Sequence, residues 1–525
     1  MLQAWADAPA RFREDANTEE DFALGGYRDR LIVELAQNAA DAATRAGVPG
    51  VLSISWDGSV LTAANTGAPL DSDGVIALAS LRASAKAGGT VGRFGVGFSA
   101  VLAVSDEPEV ISRTGGICFS ASRTRAEVER IPELAAESGR RSGHVPVLRL
   151  PWPVAGEPPE GFDTAVRLPV RPDTRAAIPD LLANVPAELL LSLPGLQEIR
   201  IGERVISRSE TDHGVRLHDG SSVTTWHVSS VDGRIPAELL ADRPTEERHR
   251  DHWEITWAVP VDSGGNAAAL GEPPVLHAPT ASAQPVSVPA LLIATVPLDP
   301  DRRHVARSRL TDYLIERAGE FFPDFVQGLP AGPARLRLVP DVRLGADAFD
   351  SALIEACLQN LRSASFLADQ ECARLSVLER DISAAAPALS DVVDGLLDSE
   401  WSAVSHEAAL RSLGVRRLSA AHVVELVSTV ERPAEWWGRL YAGLQDAADR
   451  DALAGLPVPL VDGRLVTGAR GAFLVEGEAP GAVEVLGLRV IAPAAAHPLL
   501  ERLGARPASA FSLLQEDAVR AAVAE

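Results

Sequence analysis

The run Arg28 to Arg45 has a helical period and two opposed faces, and it constrains the fold more than any other segment. Leu31, Leu35, Ala39 and Ala42 recur at helical spacing, and Gly47 and Pro49 end the pattern. Glu34, Asn38 and Asp41, at i, i+4 and i+7, form a polar stripe on the opposite side. Such a helix needs apolar cover on one face. Strands able to provide it follow at Val51–Asp57 and Val60–Ala64, joined by an Asp57-Gly58 turn, then at Glu109–Arg113, Ile117–Ser122, Val145–Leu150 and Thr164–Val170. An apolar helix is expected from Phe98 to Val104. Alternating helix and strand signals predict an α/β fold to about residue 172.

At roughly 150 residues per domain, a chain of this length is expected to form about three domains. The second, 173–331, opens with a helical run at Ile178–Leu191 that Pro186 splits. Short strands follow at Glu198–Ile201, Val223–Val228, Glu254–Val259 and Ala290–Pro297, and the Pro/Ala/Ser-rich stretch Gly271–Pro289 reads as a surface loop. The third, 332–525, is mainly helical, with runs at Ala348–Phe366, Ser390–Val404, Ala420–Val430 and Ala434–Ala447 and a β-like insert at Pro457–Val475. Trp437, Tyr441 and Leu444 are spaced for one buried helix face. The apolar pattern Phe511–Val523 continues almost to Glu525, the ending expected of a piece cut from a longer protein.

A formal net charge of −23 repels phosphate backbones and acidic membranes, which disfavours nucleic-acid partners. Cys118, Cys357 and Cys372 fit reduced thiols better than a disulfide framework. With no spanning apolar run and no signal-peptide pattern, a cytoplasmic protein without a membrane partner is expected. His249 and His252 lack the spacing of a zinc helix. Of the 49 basic residues one is lysine, Lys86.

Three motifs carry chemistry. In Glu34-Leu-Ala-Gln-Asn38-Ala-Ala-Asp41, a carboxylate four residues from a carboxamide suits metal-assisted hydrolysis: the amide oxygen can ligate Mg²⁺ while the carboxylate orients water. Asn65-Thr-Gly67, at a strand end, lets backbone and side chain approach a planar ring edge. Gly92-Arg93-Phe94-Gly95-Val96-Gly97-Phe98 frees backbone N–H groups to face phosphates at a helix start. It is neither a P-loop nor a Rossmann fingerprint. Lys86, six residues upstream of Gly92, sets a compact ammonium beside that loop.

In this order and at these separations, the three motifs resemble the N, G1 and G2 boxes of the GHKL ATPases, whose nucleotide domain has the Bergerat fold. The glycine run looks most like the heat-shock protein 90 and sacsin branch. Sacsin is the closer, through Glu34–Ala42, Ser84-Ala-Lys86 and Val91–Phe98. The resemblance covers residues 20–172 and implies a two-layer α/β sandwich that binds ATP and Mg²⁺, followed by an α+β middle domain and a helix-rich C-terminal region. It implies Glu34 as the water-orienting carboxylate, Asn38 as the Mg²⁺ ligand and Asp41 as support for the adenine pocket. It also implies Asn65, Gly67 and Thr164 at the base, Gly92–Phe98 as the phosphate cradle and Lys86 in a lid. The family usually has Asp where Asn65 stands, which leaves ATP against GTP selectivity open.

Beyond residue 172 the likeness thins to Leu193–Gly202, Leu276-His-Ala-Pro-Thr280 and Asp301-Arg-Arg-His304. It implies Arg302 or Arg303 as an arginine reaching the γ-phosphate in cis. The activity implied is slow ATP hydrolysis driving a conformational switch, chaperone-like, with a protein client as partner and the oligomeric state, a homodimer among the options, left open. The other readings are a nucleotide-sensing scaffold in a stress or defence assembly, and a DNA-repair or topoisomerase-type machine that the charge and the G2 pattern disfavour. If Lys86 contacts phosphate, Lys86→Arg lowers ATP affinity or turnover in a binding and phosphate-release assay; unchanged values return it to background.

Overall fold

The computed structural model describes residues 1–24, 30–79, 97–212, 214–241, 243, 248, 251–278, 280–299, 303–342, 345–475, 488–509 and 519–520. The chain divides into two compact units, Met1–Pro285 with Ala290–Leu314, and Val286–Pro289 with Ile315–Glu525. It is a mixed α/β protein.

The first unit is organised by one open 14-stranded mixed sheet. At its centre β1 (Gly50–Trp56) and β2 (Val60–Asn65) form an antiparallel hairpin, as the Asp57-Gly58 turn predicts. Beyond β2 lie β6 (Thr164–Pro169), β3 (Glu109–Ser112), β4 (Gly115–Cys118) and β5 (Trp152–Val154), all antiparallel. On its other edge β1 pairs in parallel with β7 (Leu196–Ile201). The sheet then runs through β8 (Arg204–Thr211), β9 (Gly214–Asp219), β10 (Ser222–Arg234) and β11 (His252–Val261). It ends with β14 (Leu291–Ala294), β12 (Val275–His277) and β13 (Ala281–Pro285). Residues 173–285 therefore share a sheet with residues 1–172. The crossover from β6 to β7 passes through helices Ile178–Ala183 and Leu189–Ser192, with Pro186 between them.

The helix expected at Arg28–Arg45 is α3 (Leu31–Ala46), preceded by α1 (Leu2–Asp7) and α2 (Pro9–Leu24). Its apolar face is buried in a core with Leu52 and Ile54 of β1, Leu61 of β2 and Leu168 of β6. Each such leucine contributes roughly 1.5–3 kcal/mol on burial. Gly47, at φ +64°, ends the helix in a left-handed cap. Phe98–Val104 is helical as expected, but as a 3₁₀ helix over Gly97–Ala103.

Several expectations are corrected. Val145–Leu150 is not a strand: the Val147 and Leu148 N–H groups donate to the buried Glu19 carboxylate of α2 instead of a ladder. Gly271–Pro289 is not simply a surface loop, because it supplies β12 and β13 and buries Leu276, His277 and Thr280. Ser390–Val404 is not a helix; the Gly395 carbonyl and the Leu397 N–H hydrogen-bond Ser376. The long helix Arg309–Gln327 was not anticipated.

In the second unit, helices Ala348–Ser363, Ala420–Val427 and Ala434–Leu444 match the periodic runs. Trp437, Tyr441 and Leu444 are fully buried. β15 (Ser376–Leu378) and β16 (Arg416–Leu418) form a parallel pair, and Pro457–Pro459 and Leu465–Thr467 a hairpin. The three free cysteines are buried. Among the described residues no helix is long and apolar enough to cross a membrane.

Glu19 also faces Arg149, which bonds Asp15 at 3.0 Å and the Ala79 carbonyl at 2.8 Å. Burial raises the Glu19 carboxyl to about 7, against the opposing pull of the Val147 and Leu148 N–H groups and Arg149. The folded chain thus holds this proton more tightly than the unfolded one. The stability it contributes is complete below the ordinary carboxyl value and is lost as pH rises through about 7. Relative to Glu19→Gln, the parent is expected to lose about 2 kcal/mol from pH 5 to pH 7 and a few tenths more by pH 8, read by urea unfolding. His277, which burial lowers to about 4, titrates in the opposite sense and is common to both proteins.

Candidate functional site

The polar stripe of α3 is not a solvated face. Glu34 is 5% exposed and Asp41 1%, while Asn38 is half-buried between them. Gly97 explains how the first carboxylate is covered: a Cβ there would stand 2.2 Å from Glu34 Oε2. A side chain there would push the carboxylate aside, and with glycine the 3₁₀ helix begins with its backbone against it. Phe98 then enters the core that Leu31 and Leu35 occupy.

The far end of α3 meets the turn after β2. Gly67, at φ +126°, lies where a Cβ would come within 2.6 Å of the Ala42 carbonyl, and Ala68 N–H donates to that carbonyl at 2.9 Å. Asp163 secures the same turn, its Oδ2 accepting from Gly67 N–H at 2.8 Å and its Oδ1 pairing with Arg113 at 3.0 Å. Asn65 ends β2 with its Nδ2 donating to the Thr66 carbonyl at 3.0 Å, which leaves its oxygen as acceptor.

Register across the sheet sets the next contacts. Asn65 is the partner of Thr164, and Thr164 of Ser112. The Thr164 and Ser112 hydroxyls are 3.0 Å apart, and Ser112 also bonds the Asp163 carbonyl at 3.0 Å. The structure therefore brings Glu34 to Gly97, Asn65 to Thr164, and Gly67 to the backbone beside Asp41. Lys86, Gly92, Arg93, Phe94, Gly95, Val96 and Arg302 lie outside the described residues.

Arg303 is tied to the sheet edge, where its carbonyl accepts from Ala283 of β13 at 2.9 Å. Just before β13, the fully buried Thr280 accepts from Gln37 Nε2 of α3 at 3.1 Å and from Arg30 at 3.5 Å. The Leu276–Thr280 motif thus touches the helix that carries Glu34 and Asn38. Its neighbour His277 bonds Ser192 at 2.7 Å.

Gln37, Thr280, Ser112 and Asp163 were missed as site neighbours. Asp163 directly precedes Thr164 and could have been proposed with it, whereas Ser112 and Thr280 depend on register and long-range packing.

A cluster of three or more His, Cys, Asp or Glu side chains fit for a metal is absent among the described residues. The amide oxygen of Asn38 is a hard donor of the kind Mg²⁺ takes alongside ligand oxygens. No protein-family model matches the chain, and no curated protein matches it.

Gly67→Ala is expected to cost about 1–3 kcal/mol in chemical unfolding, since it opposes both the positive φ and the contact with Ala42.

Proposed function

We propose that this chain is an ATP-binding, Mg²⁺-dependent ATPase with a Bergerat-type site of the GHKL superfamily, acting as a nucleotide-driven switch in the manner of heat-shock protein 90 and sacsin. The observation that carries this reading is the closure of Gly97, the end of the glycine run, onto the Glu34 carboxylate. A buried carboxylate beside a backbone able to cradle phosphates is what hydrolysis of a phosphoanhydride requires.

In this reading Glu34 orients the attacking water and accepts its proton. Asn38 would hold Mg²⁺, which would offset phosphate charge. Asn65, with one amide N–H given to the Thr66 carbonyl, offers its oxygen to an exocyclic amino group such as adenine presents, while its second N–H leaves guanine O6 as an alternative. Thr164 and Ser112 supply hydroxyls next to it, and Asp41 supports the pocket from α3. Lys86 and Gly92–Val96 belong to the phosphate side by the sequence resemblance. Arg303 is the described member of the arginine pair proposed to reach the γ-phosphate, and Thr280, just before the strand that bonds the Arg303 carbonyl, is hydrogen-bonded to α3. A protein client and a homodimer complete the proposal, for a cytoplasmic protein.

Phosphate release and ATP binding test the reading together. Glu34→Ala is expected to lower release at least 100-fold with ATP still bound, within the range for loss of a general base. Gly97→Ala, whose methyl would displace that carboxylate, should follow it. Equal rates in parent and Glu34→Ala would sink hydrolysis and leave the nucleotide-sensing scaffold.

A further inference from the structure

A cavity of about 180 Å³ lies within the second unit. Val377 and Leu378 of β15, Trp401, Leu410 and Val415 make its apolar lining, each at most 7% exposed. Its polar lining is Arg411, Arg417 and Glu407. Glu407 bridges the two guanidinium groups, 2.6 Å from Arg411 and 2.8 Å from Arg417, and Glu379 stands 4.0 Å from Arg417 Nε. Glu407 and Glu379 balance the charge of the two arginines, so what the rim offers an anion is the guanidinium N–H groups those carboxylates leave unused, Arg411 standing on the solvent side and Arg417 nearer the lining. Ser402 also lines the cavity, buried, with a hydroxyl that has no hydrogen-bond partner among the described residues.

Size and the unused guanidinium donors together define the occupant. An apolar cavity of about 150 Å³ admits benzene, whereas pockets for larger ligands run from about 300 Å³ upward. One ring or one branched chain therefore fits here, and a nucleotide does not. Each guanidinium presents five N–H donors, more than Glu407 can use, in a fork that matches a carboxylate.

We propose that this cavity binds a small apolar carboxylate, its ring or branched body against Trp401, Leu410 and Val415 and its anionic head at Arg417 and Arg411. A free aryl or alkyl acid and the C-terminal residue of a polypeptide share this chemistry. The proposal is independent of the ATPase reading.

Ligand-observed NMR on the full chain tests it with phenylacetate, N-acetylphenylalanine as a C-terminal residue, and uncharged phenylacetamide. Saturable binding of an acid is expected, at least tenfold tighter than the amide. Arg417→Gln, a surface change checked for folding by circular dichroism, should weaken the acid at least tenfold, and Val415→Phe, which fills the cavity, should abolish it. Preference for phenylacetate assigns a free acid, and equal or tighter binding of N-acetylphenylalanine assigns a polypeptide terminus. Absence of saturable acid binding, equal affinity for acid and amide, or undiminished binding to Arg417→Gln overturns the proposal.

Discussion

The contact on which the rest of the first unit depends is the approach of backbone to α3 at both of its ends. Gly97 lies against the Glu34 carboxylate, and Gly67 against the Ala42 carbonyl. A methyl group at either position would have to displace a carboxylate or a helix backbone. Because both approaches land on one helix, they set where the 3₁₀ helix starts and where β2 ends. The alanines of α3 make this possible, since long side chains would hold the neighbouring backbone away.

That geometry gives α3 two environments at once. One side meets the apolar core of β1, β2 and β6, and the other places buried carboxylates where water is scarce. A carboxylate held this far from water needs partners in the fold, so Glu34 and Asp41 tie the polar side of α3 to the segments packed on it. The Gln37–Thr280 bond extends the arrangement to the residue that precedes β13, the edge strand of the same sheet.

Much of this was legible in the residues. Leu31, Leu35 and Ala39 against Glu34, Asn38 and Asp41 read directly as a two-faced helix, and Asp57-Gly58 read as the hairpin that holds β1 to β2. Where local pattern failed, a long-range partner had taken the backbone: Glu19 captures the N–H groups of Val147 and Leu148, and Ser376 captures Gly395 and Leu397. Composition misled at Gly271–Pro289, because proline and serine mark turns but do not reveal that His277 and Thr280 between them are buried.

By itself the sequence determined the periodic elements, the polar stripe of α3 and the order of the three motifs, since these rest on spacing along one chain. Tertiary structure decided that β1 takes β7 as a parallel partner, that Asn65, Thr164 and Ser112 fall in one row, and that Gly97 closes on Glu34. Register and close approach are relations between segments far apart in sequence, and side-chain periodicity within each segment is satisfied by many pairings until packing selects one.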